Sequence, residues 1–142
     1  MAQTNVLVVE DESIVSKDIQ QSLKKLGYHV VGAAATGENA VTLALEHKPD
    51  IILMDIMLKG EMSGIEAATR IRAEANIPVI FLTAYADEST LNKAKVTQPY
   101  GYIIKPFKEI DIHTTIEMAL YKHKKEAEVL KERDLLFNLV EG

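Results

Sequence analysis

The chain contains no cysteine in 142 residues. It can therefore form neither a disulfide framework nor a thiolate metal site. A chain of this length can instead bury a core large enough to stand without covalent staples. No stretch approaches the ~18 uncharged apolar residues of a membrane span. The opening MAQTNVLVVEDES has no basic run and no long apolar one, so no secretory signal is expected. Positive charge is in short supply, with 16 Lys and Arg against 21 Asp and Glu for a net charge of -5. That balance argues against direct nucleic-acid binding. Internal repeats and low-complexity segments are also missing. The expectation is a cytoplasmic, single-domain chain with a short extension.

Short apolar runs alternate with helical stretches. The runs are Val6-Leu7-Val8-Val9, Tyr28-His29-Val30-Val31, Ile51-Ile52-Leu53-Met54, Val79-Ile80-Phe81-Leu82 and Tyr102-Ile103-Ile104. Most are continuous, uncharged and β-branched, as parallel strands buried on both faces require. The first helix should place Ile14, Val15, Ile19, Leu23 and Leu26 on one side and stop at Gly27. The second should start at an N-cap Thr36, turn Ala40, Val41, Ala44 and Leu45 inward, and end before Pro49. The third opens on the Ser63/Glu66 capping box and presents Ile65, Ala68 and Ile71. The fourth is expected from about Asp87 to Val96. The fifth begins near Glu109 and meets no Pro or Gly before Gly142. Strict β-α alternation predicts an α/β fold, a doubly wound (βα)5 parallel sheet with right-handed crossovers. The expected strand order is 2-1-3-4-5, flavodoxin-like, with an extended C-terminal helix.

Chemistry-bearing residues gather at the carboxyl ends of these strands. Glu10 and Asp11 follow the first, Asp55 ends the third, Thr83 the fourth and Lys105 the fifth. Ligands of open parallel sheets bind outside those ends, at the point where strand order reverses. In the expected order the first and third strands are neighbours there, about 4.8 Å apart. Three converging carboxylates repel one another unless a cation joins them. A hard divalent ion such as Mg²⁺ suits oxygen ligands and keeps several waters, one of which a phosphoryl oxygen can replace. Phosphoryl transfer then needs an in-line nucleophile and charge neutralisation. An Asp carboxylate can be that nucleophile, Lys105 can supply positive charge, and Thr83 a hydroxyl. Singly, each residue has an ordinary reading: a strand-end Asp caps a helix, a Lys before Pro is solvated, and Glu10-Asp11-Glu12 is an acidic loop favouring a helix N-terminus. Four strand ends carrying the matching set in one chain is a different observation. The four histidines, His29, His47, His113 and His123, stand at no metal-ligand spacing and read as surface or helix-face residues.

VLVVEDES, ILMDIMLKGEMSGIEA, FLTAYAD and GYIIKPFK together resemble the receiver domain of two-component response regulators, from Asn5 to about Lys122. The resemblance implies that Asp55 is the phosphoacceptor. It implies that Glu10, Asp11 and Asp55 hold Mg²⁺ with the Met57 backbone carbonyl. Thr83 and Lys105 would contact the phosphoryl group, and Tyr102 would be the aromatic switch residue. Lys105-Pro106 would be a cis peptide. Met57 and Tyr85 would border the path of the attacking water and slow self-dephosphorylation. The implied partner is a sensor histidine kinase or phosphotransfer domain, and the role is a regulatory switch rather than an enzyme. Two positions depart from the family pattern: Glu10 is longer than the Asp often found there, and Lys59 replaces a frequent Pro.

A haloacid-dehalogenase-type phosphohydrolase would need a second Asp at Met57, and a flavodoxin-like cofactor binder would need a Ser/Thr/Gly loop at Glu10-Asp11-Glu12. A receiver of this kind would span 1–121, leaving 122–142 as a helical extension. The extension has both charge signs, and Ala119, Leu130, Phe137 and Val140 give a partial heptad seam. LKERDLLFNLVEG resembles the lead-in helix of PAS sensory domains in hybrid signalling proteins. The expectation is either a piece of a longer protein or a stand-alone receiver with a dimerising helix. Homodimerisation would use the face of the fourth helix, fifth strand and fifth helix, or the C-terminal helix. No DNA-binding helix-turn-helix is encoded.

Overall fold

The computed structural model describes residues 3–84 and 88–141, the side chains of 134 and 136–141 excepted. Five strands, β1 (Asn5–Val9), β2 (His29–Ala34), β3 (Ile51–Asp55), β4 (Val79–Thr83) and β5 (Gly101–Ile104), alternate with five helices. The helices are α1 (Ser13–Lys25), α2 (Gly37–His47), α3 (Gly64–Glu74), α4 (Glu88–Lys95) and α5 (Glu109–Glu141). All strand pairs are parallel, in the order β2-β1-β3-β4-β5. This is the expected flavodoxin-like order, one of several that the alternation of elements permits.

β3 and β4 are buried at every position, which is why their sequences are unbroken apolar runs rather than alternating ones. Leu7, Val9, Ile52, Met54 and Phe81 pack towards α2, α3 and α4, while Val6, Val8, Ile51, Leu53, Ile80 and Leu82 pack towards α1 and α5. The two layers hold β1 and β3 rigidly side by side and fix where their carboxyl ends emerge.

The helix ends follow local chemistry. Thr36 accepts a hydrogen bond from the Asn39 amide at 3.2 Å, and Ser63 one from the Glu66 amide at 3.1 Å. Gly27, at φ +93, lets α1 leave through the left-handed region that glycine favours. Asp87, the expected start of α4, lies outside the described residues. One core assignment is corrected: Ile14 is 82% exposed, not packed on the sheet. Val15, Ile19 and Leu23 lie four apart and hold the inward stripe, so Ile14, about 100° away on the helix, faces solvent.

α5 is a single helix across Tyr121 with no break. At 1.5 Å per residue it is about 50 Å long. Beyond Tyr121 it still touches the receiver body. His123 hydrogen-bonds the Asn76 carbonyl at 3.1 Å, and the Tyr100 hydroxyl donates to Glu126. The Tyr100 ring also meets His123 edge-on at 5.6 Å, with Lys122 Nζ 5.4 Å from its centroid. Burial and the Glu126 carboxylate push the Tyr100 phenol up to about 12, against a small opposing pull from Arg72. Phe137 and Val140 of the proposed seam lie outside the described side chains.

Candidate functional site

β1 and β3 run side by side with Val9 opposite Met54. The next residue of each chain segment therefore reaches the same mouth. Glu10, Asp11 and Asp55 each offer a carboxylate oxygen within 4.8 Å of the others. Glu10 is 2% exposed and Asp55 6%. Lys105, carried past the end of β5, reaches back with Nζ at 2.6 Å from Glu10 Oε1 and 2.9 Å from Asp55 Oδ2. Its amide donates to the Thr83 carbonyl at 2.7 Å, which ties the end of β5 to the end of β4. The Lys105-Pro106 peptide is cis.

The loop after β3 is anchored through these acids. Met57 N–H donates to Asp55 Oδ1 at 2.9 Å, and Lys59 N–H donates to Asp11 Oδ2 at 3.0 Å. Met57 presents its amide to Asp55, while its side chain is exposed. Thr83 is buried at the end of β4. Tyr85 lies outside the described residues.

Charge is not balanced in this pocket. Among the described residues one ammonium faces three carboxylates, and Glu10 Oε2 is buried with no hydrogen-bond partner. Burial, then the neighbouring Asp55 carboxylate, pushes the Glu10 carboxyl up to about 8, with Lys105 pulling the other way. Burial alone would lower the Lys105 ammonium, but its bonds to Glu10 and Asp55 hold it above the ordinary value. A buried acceptor oxygen left over from an acidic cluster is the arrangement that a hard, oxygen-seeking cation completes. The residues fit such an ion.

Gly64 escaped the sequence reading. It opens α3, and its amide donates to the Ile56 carbonyl at 3.0 Å. A Cβ there would overlap the Asp55 carbonyl oxygen and sit 3.0 Å from Ile56 Cα. The helix thus packs directly on the backbone that carries Asp55. The only signal in the sequence was a glycine just after the Ser63 cap, which local pattern reads as helix punctuation.

Tyr102 stands on β5 with its ring 6.2 Å from that of Phe81. Its hydroxyl is buried without a partner among the described residues, and burial raises its pKa.

The family description "Response regulator receiver domain" matches residues 6–117. The Mycobacterium tuberculosis transcriptional regulatory protein PdtaR is 34% identical over 119 residues, covering 84% of this chain and 58% of that protein. The phyllosphere-induced regulator PhyR of Methylorubrum extorquens is also 34% identical, over 83% of this chain and 44% of its own length. The chain spans about half the length of the curated relatives it matches. Among solved structures, the signal receiver domain of a modulated diguanylate cyclase from Desulfovibrio desulfuricans superposes with a TM-score of 0.84 at 42% identity. That alignment covers 88% of this chain and 99% of the other. The N-terminal domain of a response regulator/sensory box/GGDEF protein from Carboxydothermus hydrogenoformans gives 0.79 at 36% identity, over 87% and 99% of the two chains. No described helix is long and apolar enough to cross a membrane.

Proposed function

The chain belongs to the response-regulator receiver family, and from that premise we propose that Asp55 is its phosphoacceptor in a two-component phosphorelay. A phosphohistidine of a sensor kinase or phosphotransfer domain donates the group. The P–N bond breaks, an Asp55 carboxylate oxygen forms the new P–O bond, and the imidazole leaves. The observation that carries this reading is the buried Glu10-Asp11-Asp55 cluster with Lys105 bonded to it.

Glu10, Asp11 and Asp55 would hold Mg²⁺, with the Met57 carbonyl as a further ligand. Bound there, the ion supplies charge neutralisation for the phosphoryl oxygens. Lys105 is already aimed at the reacting carboxylate and would exchange its bond to Asp55 for one to the phosphoryl group. Thr83, one strand over, would turn its hydroxyl towards the same oxygens. Tyr102, whose hydroxyl has no partner among the described residues, is the side chain able to follow. The face of α4, β5 and α5 then shifts between two states. The chain acts as a regulatory module in the cytoplasm that assists its own phosphorylation and dephosphorylation, and it is not a turnover enzyme. Residues 1–121 form the receiver, and 122–142 carry the signal onward. Relatives that include a sensory box and a GGDEF module favour such a linker role. Exposed Ile104 and Met118, and Leu135 on the helix, favour a homodimer through the α4, β5 and α5 face or the C-terminal helix.

The test is incubation with phosphoramidate and Mg²⁺, read by intact mass. Wild type should gain one adduct of about 80 Da and Asp55→Ala none. An unlabelled wild type, under conditions that label another receiver, would remove the proposal. Size exclusion of the labelled and unlabelled protein reads the dimer.

Met57 and Tyr85 tune the reverse reaction. Met57 is 73% exposed two residues from Asp55, where a bulky apolar side chain hinders an attacking water. Acyl phosphate on Met57→Asn and on Tyr85→Ala is expected to decay faster than on wild type. Unchanged or slower decay in both variants contradicts this.

A further inference from the structure

At the opposite end of the sheet from Asp55, the continued α5 leaves an open groove of about 850 Å³ against the receiver body. Its walls come from four places: the end of α3, the end of α4, the start of β5 and α5 beyond Tyr121. Tyr100, Val129 and Leu130 make it apolar, and Val129 and Leu130 are each 53% exposed. Arg72, Lys95, Lys122 and Lys125 ring it, with Glu126 as the one acid in the lining. Lys125 also pairs with Glu128 at 3.4 Å and Arg72 is bonded to Gln98, yet the described lining still carries more cations than acids on a chain whose net charge is -5.

We propose that this groove docks an acidic amphipathic segment of a partner protein. An apolar floor asks for an apolar stripe on the occupant. A cationic rim asks for carboxylates beside that stripe, and rim charges set partner choice and encounter rate. The Tyr100 hydroxyl is already committed to Glu126, which fixes α5 as a wall rather than as an occupant. A small anion fits less well, because the cations stand exposed around an open trough and do not converge in a closed pocket. A second copy of the chain fits less well too. In a two-fold pair this cationic rim would face its own copy, and like charges set against each other are costly.

The experiment uses the full chain and a short synthetic helical peptide with leucine on one face and glutamate elsewhere, labelled for fluorescence anisotropy. A lysine peptide of the same pattern is the control. The glutamate peptide should bind and the lysine peptide should not. Lys95→Glu combined with Lys125→Glu should weaken binding about tenfold or more, and added salt should weaken it on wild type. Labelling of Asp55 by phosphoramidate should be unchanged in the double charge variant, which separates a failure here from a failure of the phosphoacceptor reading. The proposal is overturned if the glutamate peptide fails to bind at about 1 mM. Equal binding of the lysine peptide, or no effect of the charge reversal, overturns it as well. Self-association of the wild type that the same charge reversal abolishes would assign the groove to a second copy instead.

Discussion

Gly64→Ala is expected to cost at least ~3 kcal/mol and to lower the midpoint of thermal unfolding by about 10 °C. The added methyl has nowhere to go. Its neighbours are the Asp55 carbonyl and Ile56 Cα, both backbone atoms in or just after a fully buried strand. Relief requires α3 to lift from the sheet or the end of β3 to sink, and either movement displaces Asp55. Gly37 is the control. A Cβ there meets the Met62 side chain at 2.8 and 2.9 Å and its carbonyl oxygen at 3.0 Å. These contacts are longer than the approach to the Asp55 carbonyl oxygen at Gly64 and fall on the Met62 loop rather than on a strand, so Gly37→Ala should cost less, about 2 kcal/mol. Circular dichroism melts of the two variants make the comparison. A Gly64→Ala midpoint within a couple of degrees of wild type would show that the packing of α3 on β3 is softer than argued.

The second large effect is electrostatic. Lys105→Met should destabilise the metal-free protein by roughly 3 kcal/mol at pH 8, because Glu10 and Asp55 would lose the cation bonded to both. The sign with pH follows from Glu10. Its carboxyl titrates near 8 in the fold instead of near 4.5. Between those values the folded state holds a proton that the unfolded state has released, so the stability drawn from this group falls as pH rises through the window. Removing Lys105 removes the one attraction that pulls Glu10 down, so the fall should steepen. Denaturant titrations at pH 5.5 and pH 8 should therefore differ more for the variant than for wild type, with the Glu10 share of the loss recovered at the lower pH. Mg²⁺ should restore stability at pH 8 by neutralising the same carboxylates. A flat pH response, or greater loss at the acid end, would mean that Glu10 is not the strained group.

Much of this was legible in advance because the chemistry sits at strand ends. Apolar runs mark the strands, and the residue after each run must fall at one edge of the sheet, so Glu10, Asp11, Asp55 and Lys105 could be gathered before any coordinates. The strand order needed more, since alternation alone permits several. Ile14 and Val15 are both apolar, but helical geometry sends adjacent residues about 100° apart, so only one of them can join the inward stripe. Gly64 stayed hidden because its role lies in a contact with Asp55, which local propensity does not encode. The latch of Tyr100 on His123 and Glu126 was hidden for the same reason: its partners are more than 20 residues apart in the chain and meet only when α5 runs past the base of the sheet.

That uninterrupted α5 makes the far end of the molecule a matter of phase. The latch pins rotation of the helix at His123 and Glu126, and every later residue inherits its azimuth from there. One residue inserted between Leu130 and Leu135 would turn everything beyond it by about 100°. A seven-residue insertion would return it to within about 20°. The helix therefore fixes an angle as well as a distance, and any module read through it is addressed by both.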